Sequence, residues 1–258
     1  TLTYECFLAT LPFLRLSLFQ NIGSVAAYTC GVFQGLVIYG QLYYIPFYFL
    51  SVKGYTPIQT GLVLLPVTAT LVPGSIATGA IVTRTKNYRY PIWIGWVLTT
   101  LASGLSILWD VDTPASLWAT TLVLLGFGHG SVLNAQNFAT QAMCKPGEEG
   151  LAASMYGFLR QFGMALGVAI GTAAFQNTMS LKLGWEGLSP DIASQSEAFI
   201  VELLQLPDNS TLKIQALEAY VFGFHGAYTV FTGISGLAFL LSLLIKQEEM
   251  DRQICTEH

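Results

Sequence analysis

The chain has 258 residues with 11 Lys+Arg and 15 Asp+Glu; 10% is charged, 53% is hydrophobic and the mean hydropathy is +0.55. A soluble domain carries roughly 25% charged residues, so too few charges are present here to cover a water-facing surface. The net charge of −4 provides no basic footprint and excludes nucleic acid as an expected partner.

Residues 1–21 read as a cytoplasmic N-terminal segment; the chain begins at Thr1 with no charged n-region before a short apolar core, so the start reads as internal. A helix crossing a bilayer needs about 20 mostly apolar residues, because lipid offers no partner to backbone N–H and C=O groups. Six stretches meet that need: 22–50, 59–83, 91–109, 115–142, 151–175 and 224–245. The first two contain no charge until Arg84, and the fifth contains one, Arg160. Joins between the second, third and fourth are short and force antiparallel neighbours. Residues 176–223 hold six acids and two lysines and read as an outer loop, with an amphipathic helix near Ser196–Leu206. Residues 246–258 complete the chain as a cytoplasmic tail. The expected fold is an all-α integral membrane protein, a six-helix bundle.

An even number of crossings puts both ends on one side. Arg15, Arg84, Lys86, Arg89, Lys145, Lys246 and Arg252 fall on that side, against Lys53, Lys182 and Lys213 opposite. The excess of basic residues makes the terminal side cytoplasmic. Asn209-Ser210-Thr211, a glycosylation sequon in the long loop, agrees with an outer placement. Tyr43, Tyr44, Phe47, Tyr48 and Phe49 fall at the outer end of the first span, where interfacial rings belong. A multi-pass protein of the plasma membrane is expected, with the vacuolar membrane as the other location.

Polar groups in a bilayer are costly and mark functional positions. Gly130, Asn134, Asn137 and Gln141 share one face of the fourth span and suggest a wetted surface for a polar solute; hydrogen bonding between packed helices is the other reading. Gln34 and Gln41, seven residues apart, share a face of the first span and are candidates for the same cavity. Arg160 either snorkels to the membrane surface or faces a cleft, where it binds an anionic solute or a carboxylate of a partner domain. His129, between two glycines, is a candidate proton relay or else a packed neutral ring. Gly163, Gly167 and Gly171, four apart, let another helix approach closely. No span contains a carboxylate, so any proton-coupling acid lies outside this sequence. Cys6, Cys30, Cys144 and Cys255 form no CxxC pair, so no metal site is indicated. His129, His225 and His258 are scattered and give no catalytic cluster; no cofactor is expected.

Tyr43-Tyr44-Ile45-Pro46-Phe47-Tyr48, Val52-Lys53-Gly54-Tyr55-Thr56-Pro57 and Gly61-Leu62-Val63-Leu64-Leu65-Pro66 resemble the fungal fourteen-span drug and toxin efflux branch of the major facilitator superfamily. Gly126-x-Gly128-x-Gly130 and Phe158-x-Arg160-x-x-Gly163-x-x-x-Gly167-x-Ala169-x-Gly171 carry the same resemblance. Gly79 to Arg84 and on to Arg89 resembles that family's cytoplasmic loop motif, with Thr83 where an acid is usual. The resemblance covers 11–245 and implies the C-terminal six helices, with an N-terminal half missing. It further implies export of hydrophobic drugs, toxins or secondary metabolites in exchange for protons, by a protein that is not an enzyme. A non-transporting six-helix membrane protein, such as a degenerate remnant of a transporter, is the alternative.

Overall fold

A computed structural model describes residues 16–207 and 210–248. After a 3-10 turn at Leu16–Phe19 come α1 (Ile22–Ser51), α2 (Pro57–Val63), α3 (Leu65–Thr85), α4 (Arg89–Ser106) and α5 (Ala115–Ala142). There follow α6 (Glu149–Trp185), α7 (Asp191–Ser194), α8 (Ser196–Gln205) and α9 (Thr211–Ser242). Among the described residues, five stretches are long and apolar enough to cross a membrane: Ile22–Ser51, Pro57–Thr85, Ala115–Ala142, Glu149–Trp185 and Thr211–Ser242. The expected third crossing, α4, is not among them. Its 18 residues include Arg89 in the first turn and several serines and threonines, and at 1.5 Å per residue it extends ~27 Å. Even so, it runs from one end of the bundle to the other. Tyr88 before it donates to the Lys246 carbonyl (2.6 Å), and Asp110 after it accepts from the Tyr48 hydroxyl (2.6 Å).

Three expectations need correction. The stretch 59–83 is two helices, α2 and α3, meeting at Leu64. A capping box at Thr56 and Gln59 with Pro57 behind it starts α2. Pro66 cannot supply the N–H that would continue the ladder, and its ring opposes the carbonyl four residues back. The region 176–223 is not all loop, because α6 continues to Trp185 and α9 begins at Thr211. A polar clasp explains both extensions: Lys182 Nζ lies 2.8 Å from Glu186 Oε1 and 3.1 Å from Glu218 Oε2, and Gln215 Nε2 donates to Glu186 Oε2 at 3.1 Å. The tyrosine–phenylalanine run of α1 is no simple interfacial belt either. Tyr44, Tyr48 and Phe49 are at most 2% exposed and pack with Trp109, Phe175, Phe224 and Phe231 in the half of the core away from Lys145.

The helix contacts have an internal symmetry. α1 packs along α6, and α3 packs along α5; α4 lies on α5 as α9 lies on α1, and α4 touches α9, while α9 also packs along α6 without a counterpart between α3 and α4. Two three-helix units, α1–α3–α4 and α5–α6–α9, thus exchange their second helices, the arrangement of an inverted repeat. Glycine makes the two main crossings close. A Cβ on Gly163 would fall on the Val32 carbonyl, one on Gly167 on the Leu36 carbonyl, and one on Gly171 on the Tyr44 ring. On the other crossing, Gly126 and Gly130 press on Val67–Ser75 of α3, while Gly128 presses on Gly95 and Thr99 of α4. Residues 17–23, 85–89, 143–149 and 242–248 gather at one end. Ser17 Oγ donates to Glu148 Oε2 (3.1 Å) and Gln247 Nε2 to the Lys86 carbonyl (2.7 Å) there.

Candidate functional site

The closeness of α1 and α6 puts a polar pair inside the bundle. Gln34 lies ~18 Å along α1 and Arg160 ~16 Å along α6, counted from the ends that share one side. Both are therefore near mid-depth of a hydrocarbon core of about 30 Å. Gly35 rests against the Arg160 carbonyl and Gly31 against the Tyr156 ring, so nothing holds the two backbones apart. Arg160 Nε donates to Gln34 Oε1 at 2.6 Å. Gln34 is fully buried, and its Nε2 has no hydrogen-bond partner among the described residues.

His129 and Gln136, seven residues apart on α5, point the same way. Both are fully buried, and neither ring nitrogen of His129 nor either amide atom of Gln136 has a partner among the described residues. The Arg160 guanidinium lies within electrostatic reach of the His129 ring and of the Tyr156 phenol. Tyr156 itself donates to the Leu133 carbonyl at 3.3 Å. Gln41 is also fully buried but turns to a different helix: its Nε2 donates to Ser103 Oγ (2.8 Å), which donates to the Thr99 carbonyl (2.8 Å) of α4.

Asn134, Asn137 and Gln141 of α5 are partly exposed. Asn134 Nδ2 donates to the Ser75 carbonyl and to Ser75 Oγ, both at 2.8 Å, and so ties α5 to α3 beside Gly79. Gln141 Nε2 donates to Asn137 Oδ1 at 3.0 Å. Asn137 Nδ2 and Gln141 Oε1 have no hydrogen-bond partner among the described residues. Gln34 with Arg160, and Asn137 with Gln141, are brought together; Gln41 and Asn134 are each engaged by a neighbouring helix.

At the end bearing Lys145, Arg84 is exposed in the last turn of α3. Arg89 stands 4.7 Å over the Trp93 ring. Thr83 donates to the Gly79 carbonyl (2.8 Å) within its own helix, so this position contributes no charge to the loop. At the opposite end, Tyr43 of α1 donates to Glu197 of α8, above a groove of about 360 Å³ lined by Leu42, Pro46, Phe47, Leu50 and Ile200. Lys53 Nζ donates to the carbonyls of Val111 (2.5 Å) and Thr113 (2.9 Å), and burial draws its pKa below the usual lysine value. Asn209, the sequon residue, lies outside the described residues. The reading of the residues missed Gln136, Tyr156, Ser75 and the Tyr43–Glu197 contact. Only Gln136 left a signal, its seven-residue spacing from His129.

The family model of the Major Facilitator Superfamily matches residues 7–168. The chain is 36% identical over 95% of its length to MFS transporter L2 of Phoma sp., and covers 42% of that protein. It is 27% identical to Efflux pump FUS6 of Gibberella fujikuroi (95% of this chain, 45% of that one). It is 26% identical to Citrate exporter 1 of Yarrowia lipolytica (94% and 36%). The chain thus spans less than half the length of these curated relatives. Among solved structures, its fold is similar to an inward-facing, unoccupied bacterial homolog of the human lysosomal transporter Spinster. The TM-score is 0.69 at 16% identity, over 93% of this chain and 52% of that one.

Proposed function

The chain belongs to the major facilitator superfamily, and on that premise we propose that it is the C-terminal half of a secondary transporter that exports hydrophobic small molecules in exchange for protons. The observation that carries this reading is a polar set within the bundle: Gln34, Arg160 and His129 lie ~16–20 Å from the helix ends that share one side, and Gln136, Asn137 and Gln141 follow on α5 toward that end. Binding sites of such folds lie near the midplane, between two symmetry-related halves. One half supplies one wall, and a preceding N-terminal half supplies the other. The spans of this half hold no carboxylate at that depth, so the coupling acid belongs to the partner half, with His129 as the candidate relay on this side. Names of relatives as efflux pumps support the outward direction.

Transport involves no covalent chemistry. The bundle rocks against its partner, and the close glycine crossings of α1 with α6 and of α3 with α5 keep it rigid while it does so. The end bearing Arg84, Lys86, Arg89, Lys145 and Lys246 is cytoplasmic, which leaves α8 and the Asn209 sequon outside, in the plasma membrane. The test is dye retention in drug-sensitive yeast expressing the complete transporter. Lower steady-state rhodamine 6G, restored to control levels by a protonophore, is the expected result; retention equal to that of empty-vector cells refutes the export reading.

A further inference from the structure

We propose that Arg160 and Gln34 form an anion subsite that holds a carboxylate group of the transported solute. The inference rests on the transport reading above and adds a substrate class, organic acids with an apolar body. An intramembrane arginine is costly unless its charge is met. Among the described residues Arg160 makes one hydrogen bond, through Nε to Gln34 Oε1, and no ion pair with a carboxylate. Its two terminal nitrogens carry four N–H donors with no acceptor among the described residues, and Arg160 is partly exposed.

Snorkelling does not account for this geometry. The Nε bond runs sideways to an amide at the same depth on α1, not along α6 toward the surface. That bond also consumes the acceptor atom of Gln34 and leaves the fully buried Nε2 as a further donor. The subsite is thus made of N–H groups alone: the planar guanidinium fork and one amide. Such a set matches the two oxygens of a carboxylate and offers no acceptor to a cation. The neighbouring Tyr156 hydroxyl is turned to the Leu133 carbonyl, and His129 is fully buried. Neither supplies a competing negative charge. The four open donors and the unpartnered Nε2 together make an acidic solute the fitting occupant.

The experiment uses the complete transporter, purified in detergent, with 5-carboxyfluorescein as anionic probe and rhodamine 6G as cationic probe, both read by fluorescence anisotropy. Saturable carboxyfluorescein binding is expected, weakened about 10- to 100-fold in Arg160→Ala, the range for a lost charge-assisted contact. Arg160→Lys keeps the charge and should lie between the two, with rhodamine binding unaltered. Carboxyfluorescein binding that is absent, or equal in wild type and Arg160→Ala, overturns the proposal. So does an equal loss of both probes in Arg160→Ala and Arg160→Lys, since that outcome assigns the arginine to a protein carboxylate of the other half. Vesicle transport is measured separately. Binding without transport supports the subsite while removing the efflux reading, so the two failures are distinguishable.

Discussion

At the scale of single residues, the glycines of α6 decide how near α1 can come. Gly163 and Gly167 each face a backbone carbonyl of α1, so no rotamer change relieves an added side chain. Gly157, on the same helix, has open space beside it. Gly167→Val is therefore expected to lose at least the 1–3 kcal/mol typical of overpacking, about, and Gly157→Val almost nothing. Thermal melting in detergent followed by size exclusion separates the two, and equal midpoints would count against the close crossing. Asn134 and Asn137 look alike in the sequence but differ in employment, because Asn134 is held by Ser75 and Asn137 is not held by another helix. Asn134→Leu should cost about 0.6 kcal/mol, the mean for a hydrogen bond between membrane helices, and spare most efflux. Asn137→Leu should spare stability and reduce efflux severalfold; the reverse ranking in a paired melting and dye-efflux assay would exchange their roles. The four-residue glycine spacing was legible in the sequence because it is local. The Arg160–Gln34 bond was not, since it joins positions 126 apart. The shared face of Gln34 and Gln41 was legible, but not their partners. Two helical turns, ~10.5 Å, are enough for crossing helices to exchange neighbours.

At the scale of elements, apolar runs announced the helices, while charge misplaced their ends. Lys182, Glu186, Gln215 and Glu218 mark where the chain leaves lipid, yet they bond to one another and let α6 and α9 stay helical beyond it. The break at Leu64 was hidden because prolines such as Pro46 and Pro73 sit inside continuous helices of the same protein. Pro66 differs in following a short helix already capped at Thr56. At the end away from Lys145, α8 is held to α1 by Tyr43 and Glu197, and to α9 by the bond from Tyr220 to the Ser196 carbonyl. Tyr43→Phe removes one of these two ties. Amide exchange across Ser196–Gln205 should then quicken severalfold, with α9 unchanged, by hydrogen-exchange mass spectrometry. Unaltered exchange in α8 would show that Tyr43 contributes nothing to its docking.

At the scale of the whole molecule, the exchanged packing of α1–α3–α4 with α5–α6–α9 gives a rigid unit with one unfinished side. The stretch Pro57–Thr85, α2 with α3, is buried over only 22% of its apolar window, against 67% for α1, as a span facing lipid or another half must be. The basic loops at one end imply that α8 is extracellular. An epitope inserted after Trp185 should accordingly be stained in intact cells, and staining only after permeabilisation would invert the topology.

The central claim, that a polar face of this bundle borders a water-filled path within the membrane, is tested most directly by thiol accessibility in the complete protein freed of its native cysteines. Asn137→Cys should react with a membrane-impermeant maleimide and be protected by a transported dye, while Ile94→Cys, as far from its helix end but on the exposed apolar side of α4, stays unmodified. Labelling at Asn137 as slow as at Ile94 would contradict it.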